Sequence, residues 1–211
     1  MMTKKTAVIL FNLGGPDKSE SIRPFLTNFF MDKNIIRAPY PVRFLLSRYI
    51  AFKRSRNEAG TSYGILGGKS PLLENTQRQA DALQTELGLD FKVFVCMRYW
   101  HPMADEVSRH VKHYNPDKIV LLPLYPQYST TTTRSSLQDW ISGCKKNDLD
   151  KPTNLVCCYP NNSGFVSASV DLIKQAFADF KIKHNQTPRL LFSAHGLPEK
   201  IVQDGDSYQW A

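Results

Sequence analysis

Five histidines and four cysteines raise the first chemical question, because imidazoles and thiolates move protons and hold borderline metal ions near neutral pH. Cys96, Cys144, Cys157 and Cys158 form no C-x-x-C pair and no regular framework, which supports neither a structural zinc site nor a disulfide scaffold. A reducing, cytoplasmic compartment is the simplest expectation. His110 and His113 lie three apart on an expected helix but lack a third ligand and read as solvated, as does His184 in the polar stretch 181–186. His101 precedes Pro102 at a helix start, where packing and function remain equally open. His195 differs: it follows the apolar run Leu190-Leu191-Phe192 and precedes Gly196-Leu197-Pro198, so a strand would deliver its imidazole to a turn at a sheet edge.

Two glycine strings invite a phosphate reading and fail it. Gly67-Gly68-Lys69-Ser70 ends like a phosphate-binding loop, yet Tyr63 stands where the first glycine belongs and no apolar strand precedes it. Gly14-Gly15 lacks the G-x-G-x-x-G spacing of a dinucleotide turn.

The elements that would position these residues follow from periodicity. Apolar runs at 7–13, 91–97, 118–122, 154–158 and 189–193 read as strands. Between them, Ile22, Phe25, Leu26, Phe29 and Phe30 predict an amphipathic helix over 21–31, and further helices are expected at 103–114, 135–144 and 164–180. A helix over 70–87 has Ser70 as cap, Pro71 at its first position and Gly88 as its stop. Continuously apolar strands alternating with helices indicate an α/β fold with parallel sheets, whose ligands bind at the carboxyl ends of the strands. The residues just past the strands are Asn12 and Leu13, Arg98-Tyr99-Trp100-His101, Leu124 through Ser129, Tyr159-Pro160 and Ala194-His195-Gly196, a rim suited to a flat, partly apolar ligand.

The 211 residues fit one large domain, or one complete domain and part of another, and 42% apolar content excludes a disordered chain. No apolar stretch approaches the roughly 18 residues of a membrane span. The apolar run near the N-terminus is too short for a signal peptide and leads into the turn residues Gly14-Gly15-Pro16-Asp17. The net charge of +8 finds a location in segment 35–56, where Arg37, Arg43, Arg48, Lys53, Arg54 and Arg56 interleave with Phe44, Leu45, Leu46, Tyr49, Ile50 and Phe52 as a basic amphipathic lip.

Five strings, taken together, resemble one family: Phe11-Asn12-Leu13-Gly14-Gly15-Pro16-Asp17, Gly67 through Leu72, Met97-Arg98-Tyr99-Trp100-His101-Pro102, Leu122-Pro123-Leu124-Tyr125-Pro126-Gln127-Tyr128-Ser129, and Phe192-Ser193-Ala194-His195-Gly196-Leu197-Pro198. In this order they look like ferrochelatase of the bacterial type, and P-L-Y-P-Q-Y-S with S-A-H-G-L-P is the specific part. The resemblance implies a chelatase-like fold of two Rossmann-like domains and insertion of Fe2+ into a porphyrin, protoporphyrin IX or coproporphyrin III. It implies His195 as the central residue, either as proton acceptor or as ligand to the incoming iron, and porphyrin contacts at Leu13, Arg54, Tyr63, Ser70, Arg98, Tyr99 and Tyr128. Arg56 competes with Arg54 for the same place. No cofactor beyond the substrate Fe2+ is expected, nor an iron-sulfur cluster, and nucleic acid is not an expected partner.

Three departures matter. Arg134 stands where many relatives have Gly and is expected to disturb a tight turn, and Ser207 replaces the usual Pro of G-D-P-Y. The chain also stops where the family pattern continues. The resemblance therefore implies a first domain at 1–152 and an incomplete second at 153–211, without the glutamate that faces the histidine in relatives. Weak activity of the isolated chain is expected, with a porphyrin-binding fragment or a chelatase for another divalent metal as alternatives. The lip is expected to admit the porphyrin and to touch anionic lipid peripherally.

Overall fold

Strand β1, Thr6–Asn12, is apolar along its length because helices cover both faces of the sheet it centres. A computed structural model of the chain describes residues 4–58 and 62–210. In it β1 pairs in parallel with β2, Phe91–Met97, in the register Thr6 to Phe91, and with β3, Lys118–Pro123, in the register Thr6 to Lys118. The short β4, Thr153–Leu155, pairs with residues 119–121 of β3, giving the order β2-β1-β3-β4. Alternate residues divide between two cores, as the period of a strand requires. Val8, Leu10, Val95 and Met97 pack with Ala80 of α4, Leu72–Leu87. Ala7, Ile9, Phe11, Cys96, Ile119 and Leu121 pack on the other face with α5, Ala104–Tyr114, and with Trp140 of α6, Thr133–Lys146.

Helices α5 and α6 approach closely at Gly143, where an added Cβ would lie 2.8 Å from the Ala104 carbonyl oxygen. α5 carries Asp105 and Glu106 in its first turn and Lys112 and His113 in its last, complementing the helix dipole, and stops at Asn115 in the left-handed region. Helix α1, Ile22–Met31, buries Ile22, Phe25, Leu26 and Phe30 as its periodicity predicts. It packs against α2, Tyr40–Glu58, with Ala51 and Tyr99 in a third core. The basic lip is therefore largely helical. A short α3, Ser62–Ile65, follows.

By contact the chain divides into Met1–Tyr125 with Ser129–Cys157, and Pro126–Tyr128 with Cys158–Ala211. The second unit contains α7, Ser163–His184, whose first turn is capped by the Asn162 side chain accepting from Phe165 N–H at 3.1 Å, and α8, Glu199–Gln203. None of the residues of α7 is fully buried.

Four expectations change. The run 154–158, expected to open the second domain, instead contributes β4 to the first sheet, because its backbone finds β3 as a partner. Residues 189–193 form no strand: no strand among the described residues of the second unit offers a ladder, and Leu191 and Phe192 stand more than four-fifths exposed. Arg134 disturbs no turn, since it lies exposed in the first turn of α6 and its N–H donates to Ser129 O at 3.2 Å. The helix expected to start at Pro71 begins one residue later, with Pro71 itself as the cap residue and Ser70 Oγ accepting from Leu72 N–H at 3.3 Å.

Candidate functional site

In the first unit, the carboxyl end of the sheet is extended beyond its strands by backbone bonds from Arg98 N–H to Asn12 O (2.9 Å) and Tyr99 N–H to Leu13 O (3.0 Å). Asn12 fixes this edge through its side chain, donating to Thr76 Oγ1 at 2.9 Å and accepting from Leu13 N–H at 2.8 Å. Leu13 then packs, half-buried, against the third core, as do Tyr63 and Trp100. Trp100 Nε1 donates to Asp17 Oδ1 at 2.9 Å, and Ser70 N–H donates to Pro16 O at 2.8 Å, so the 14–17 turn is held from both sides. Gly15 is needed there because a Cβ would fall 2.5 Å from Ser70 Cβ and Oγ. Arg54 is exposed on α2, its guanidinium 5.3 Å from the Phe30 ring. Arg56 instead stacks on Phe52 at 4.4 Å.

Behind this edge lies a polar network that the sequence pattern did not announce. Asp32, the residue that ends α1, is buried, and its Oδ2 accepts from Arg98 Nη2 (3.1 Å), from Tyr99 Oη (2.7 Å) and from Ser135 Oγ. Its Oδ1 accepts from Asn34 N–H (2.7 Å) and Asn34 Nδ2 (3.0 Å). Arg98 Nε donates to Ser135 Oγ at 2.7 Å, and Arg98 Nη1 lies 3.7 Å from Asp139 Oδ1. Burial pushes the Asp32 carboxyl up, but the bonds from Ser135, Asn34 and Tyr99 and the Arg98 charge outweigh it and hold it below the ordinary value. Asp139 is shifted the other way, since burial dominates and Arg98 offsets it only in part. Burial, with the Asp32 charge beside it, raises the Tyr99 phenol.

Arg98 and Tyr99 were expected to line a ligand pocket directly. Tyr99 is 0% exposed and its hydroxyl is committed to Asp32, so it offers no open face in this structure. Arg98, mostly buried, is committed to the same network. Asp32 and Ser135 were missed because a single carboxylate after an apolar helix and one serine in a polar run have no spacing that marks them. The other histidines take ordinary places. His110, His113 and His184 are exposed, and His101 Nδ1 lies 3.2 Å from Glu106 Oε2.

Tyr128 and His195 belong to the second unit. There His195, exposed, lines a cleft of about 490 Å³ together with Gln127, Ala194, Gly196, Leu197, Val202, Tyr208 and Gln209. Gly205, at φ +93°, makes the turn after α8 that glycine takes without strain, and it sets the buried Asp206, whose Oδ1 accepts from Tyr208 N–H at 3.0 Å. Ser207, exposed beside it, leaves that turn intact. No carboxylate lines the cleft, and among the described residues no three His, Cys, Asp or Glu side chains gather as a metal site. His195 is therefore the one imidazole that meets both a cleft and the expected motif.

A family model described as Ferrochelatase matches residues 5–211. The chain belongs to the ferrochelatase family. It is 49% identical over 208 residues to the ferrochelatase of Wolbachia sp. subsp. Drosophila simulans (strain wRi), covering 97% of this chain and 65% of that protein. It is 46% identical to the ferrochelatase of Pelagibacter ubique (strain HTCC1062) and 47% identical to that of Caulobacter vibrioides (strain NA1000 / CB15N), each with 60% of the relative covered. The chain thus spans between 60% and 65% of the length of these relatives. The all-parallel sheet with helices on both faces agrees with the chelatase-like fold expected of the family. No helix among the described residues is long and apolar enough to cross a membrane.

Proposed function

We propose that this chain carries porphyrin- and iron-binding elements of a ferrochelatase that inserts Fe2+ into a porphyrin, protoporphyrin IX or coproporphyrin III. One observation supports it above the others: the histidine of S-A-H-G-L-P is exposed on a cleft wall, and neither ring nitrogen has a protein partner among the described residues. In metallation two pyrrole N–H bonds break, the two nitrogens so freed and the two imine-type nitrogens each give a lone pair to Fe2+, and two protons leave. The lone pair of a neutral His195 can accept one of those protons or ligate the arriving ion, but it cannot do both at once. Leu13, Arg54, Tyr63, Ser70 and Tyr128 serve as porphyrin contacts in this reading, with Arg98 and Tyr99 behind them as positioning residues. No cofactor beyond the substrate Fe2+, no iron-sulfur cluster and no nucleic acid enters it.

The lip along α2 admits the porphyrin and touches anionic lipid from the cytoplasmic side. Its exposed Tyr40, Leu45, Tyr49 and Phe52, set among arginines, support this. Salt-dependent co-sedimentation with anionic vesicles is the expected result, and co-sedimentation that depends on neither salt nor anionic lipid removes the anionic-lipid contact.

A second reading, porphyrin binding without metallation by this chain, is favoured by the absence of a carboxylate from the His195 cleft. Anaerobic incubation with porphyrin and Fe2+, or with Zn2+, followed in the Soret and visible bands, separates the two. A Soret shift with slow metallation is expected of residues 1–211. No spectral change overturns porphyrin binding, and turnover equal to a full-length relative overturns the claim that the chain holds only part of the machinery.

A further inference from the structure

Residues 22–58, which are α1, α2 and their connection, hold eight basic side chains and two carboxylates, Glu58 at the end of α2 and Asp32, which is buried and already committed to Arg98, Tyr99 and Ser135. Most of the net charge of the protein therefore sits on α1, α2 and their connection. Within this field a groove of about 310 Å³ opens between the two helices, lined by Arg23, Pro24 and Thr27 with Asn28 on one side and Arg48 on the other. No carboxylate lines it, and neither guanidinium has an acidic partner among the described residues.

Both guanidiniums are ordered by aromatic rings instead of by ions. Arg48 stacks 4.4 Å from the centre of the Phe44 ring, and Arg23 lies 5.3 Å from that of Phe52. A ring attracts the cation without accepting its N–H groups as an anion would, so they stay available. Arg43 differs in donating to Ala38 O at 2.8 Å. Arg54 and Arg56 rest on Phe30 and Phe52 in the same way as the two groove arginines but do not line the groove. Thr27 Oγ1 donates to Arg23 O at 2.8 Å, which fixes the groove wall without supplying a donor to it.

Two forks around one groove suit a tetrahedral oxyanion better than a carboxylate. A carboxylate offers only two oxygens, in one plane, for a single bidentate pair, whereas a phosphate ester presents three terminal oxygens in a tetrahedral array that two guanidiniums can meet from different sides. Bringing two unpaired cations to one groove is itself unfavourable, and a dianion relieves it. The groove is also larger than an inorganic anion needs, leaving room for the organic part of an ester. We propose that Arg23 and Arg48 form a binding site for a phosphate ester, borne by a lipid headgroup or by a soluble metabolite. The site is independent of metallation and of His195.

The test uses the full 211-residue chain, with inorganic phosphate as the first probe, measured by calorimetry at low salt. Arg23→Gln and Arg48→Gln are each expected to weaken phosphate binding about tenfold, the effect of one charge-assisted hydrogen-bond pair. Lys53→Gln, which removes the same charge from an exposed position on α2, is expected to change it less than about twofold. Equal losses for Lys53→Gln and the two arginine variants overturn the site in favour of diffuse charge. Unaltered binding in the double variant, or no measurable phosphate binding, overturns it outright.

The second probe separates the sources: vesicles of equal phosphatidylcholine and phosphatidylglycerol against phosphatidylcholine alone. Loss of anionic-vesicle binding in the double variant, with competition by inorganic phosphate, assigns the site to a headgroup. Vesicle binding indifferent to both arginines, alongside arginine-dependent phosphate binding, assigns it to a soluble ester. Because no porphyrin is present in either arm, a failure here leaves the metallation reading untouched.

Discussion

Asp32→Ala removes the acceptor at the centre of the network that ties the end of α1 to the exit of β2 and the first turn of α6. Asn34 is only half-buried and can turn to water, but Tyr99 and Ser135 are buried and Arg98 keeps a side-chain exposure of only 17%. Each donor left without its partner costs about 1–3 kcal/mol. The terms are not additive, and removal of one member of a buried charged pair typically costs about 3–5 kcal/mol. Taking about 4 kcal/mol, and about 2–4 °C per kcal/mol for a protein of this size, Tm falls by on the order of 10 °C. Urea denaturation and a thermal melt, both followed by far-UV circular dichroism at neutral pH, measure the free-energy loss and the shift in Tm. The pH dependence gives an independent reading. The folded state holds the Asp32 carboxyl below its unfolded value of about 3.9, so its contribution is fully present above that value and is lost as pH falls through the folded value. The variant is expected to lack that acid-side loss. A destabilisation under about 1 kcal/mol, or an unchanged acid limb, would refute the reasoning, because the network would then be worth no more than an exposed ion pair.

Asp139 carries the opposite sign: its carboxyl is raised on folding, so its contribution to stability declines as pH rises from the unfolded to the folded value, and Asp139→Asn is expected to flatten that decline in a pH series of urea midpoints. Gly143→Ala places a Cβ against the Ala104 backbone, and despite the roughly 1 kcal/mol gain in helix propensity it is expected to destabilise by about 1–3 kcal/mol; a midpoint at or above the parent's would mean that α5 and α6 separate freely. His195→Ala, at an exposed position, is expected to stay within about 0.5 kcal/mol of the parent while abolishing metallation in a full-length relative; retained turnover there reassigns the histidine.

The first unit was legible because its strands and helices carry their own signals. β1, β2 and β3 read as unbroken apolar runs, α1 follows the helical repeat, and Gly88 ends α4 with φ +76° as its position requires. What pattern cannot supply is the partner. Residues 189–193 have the composition of a buried strand, but a strand forms only where another backbone completes its ladder, and the described residues of the second unit offer none. β4 is the converse case: its run was legible, and the sheet it joins was not. At the candidate site, His195 stood out by its motif. Asp32 did not, because its importance arises from three donors that are between 66 and 103 residues away in the chain. Tyr99 shows the cost of reading a sheet edge from position alone, since a residue at the carboxyl end can turn inward and be consumed by packing.

Helix α7 has a consequence of its own. Its 22 residues bury none of their side chains completely, so its backbone bonds depend on local terms: the Asn162 cap, the basic residues Lys181, Lys183 and His184 in its last turn, and intrinsic propensity. Such a helix can open without breaking the sheet of the first unit, and opening free energy is what sets the rate at which an amide trades its proton with solvent. Deuterium should therefore enter residues 163–184 long before it enters β1. The chain would then respond to heat, protease and denaturant unevenly, residues 163–184 yielding before the sheet of the first unit.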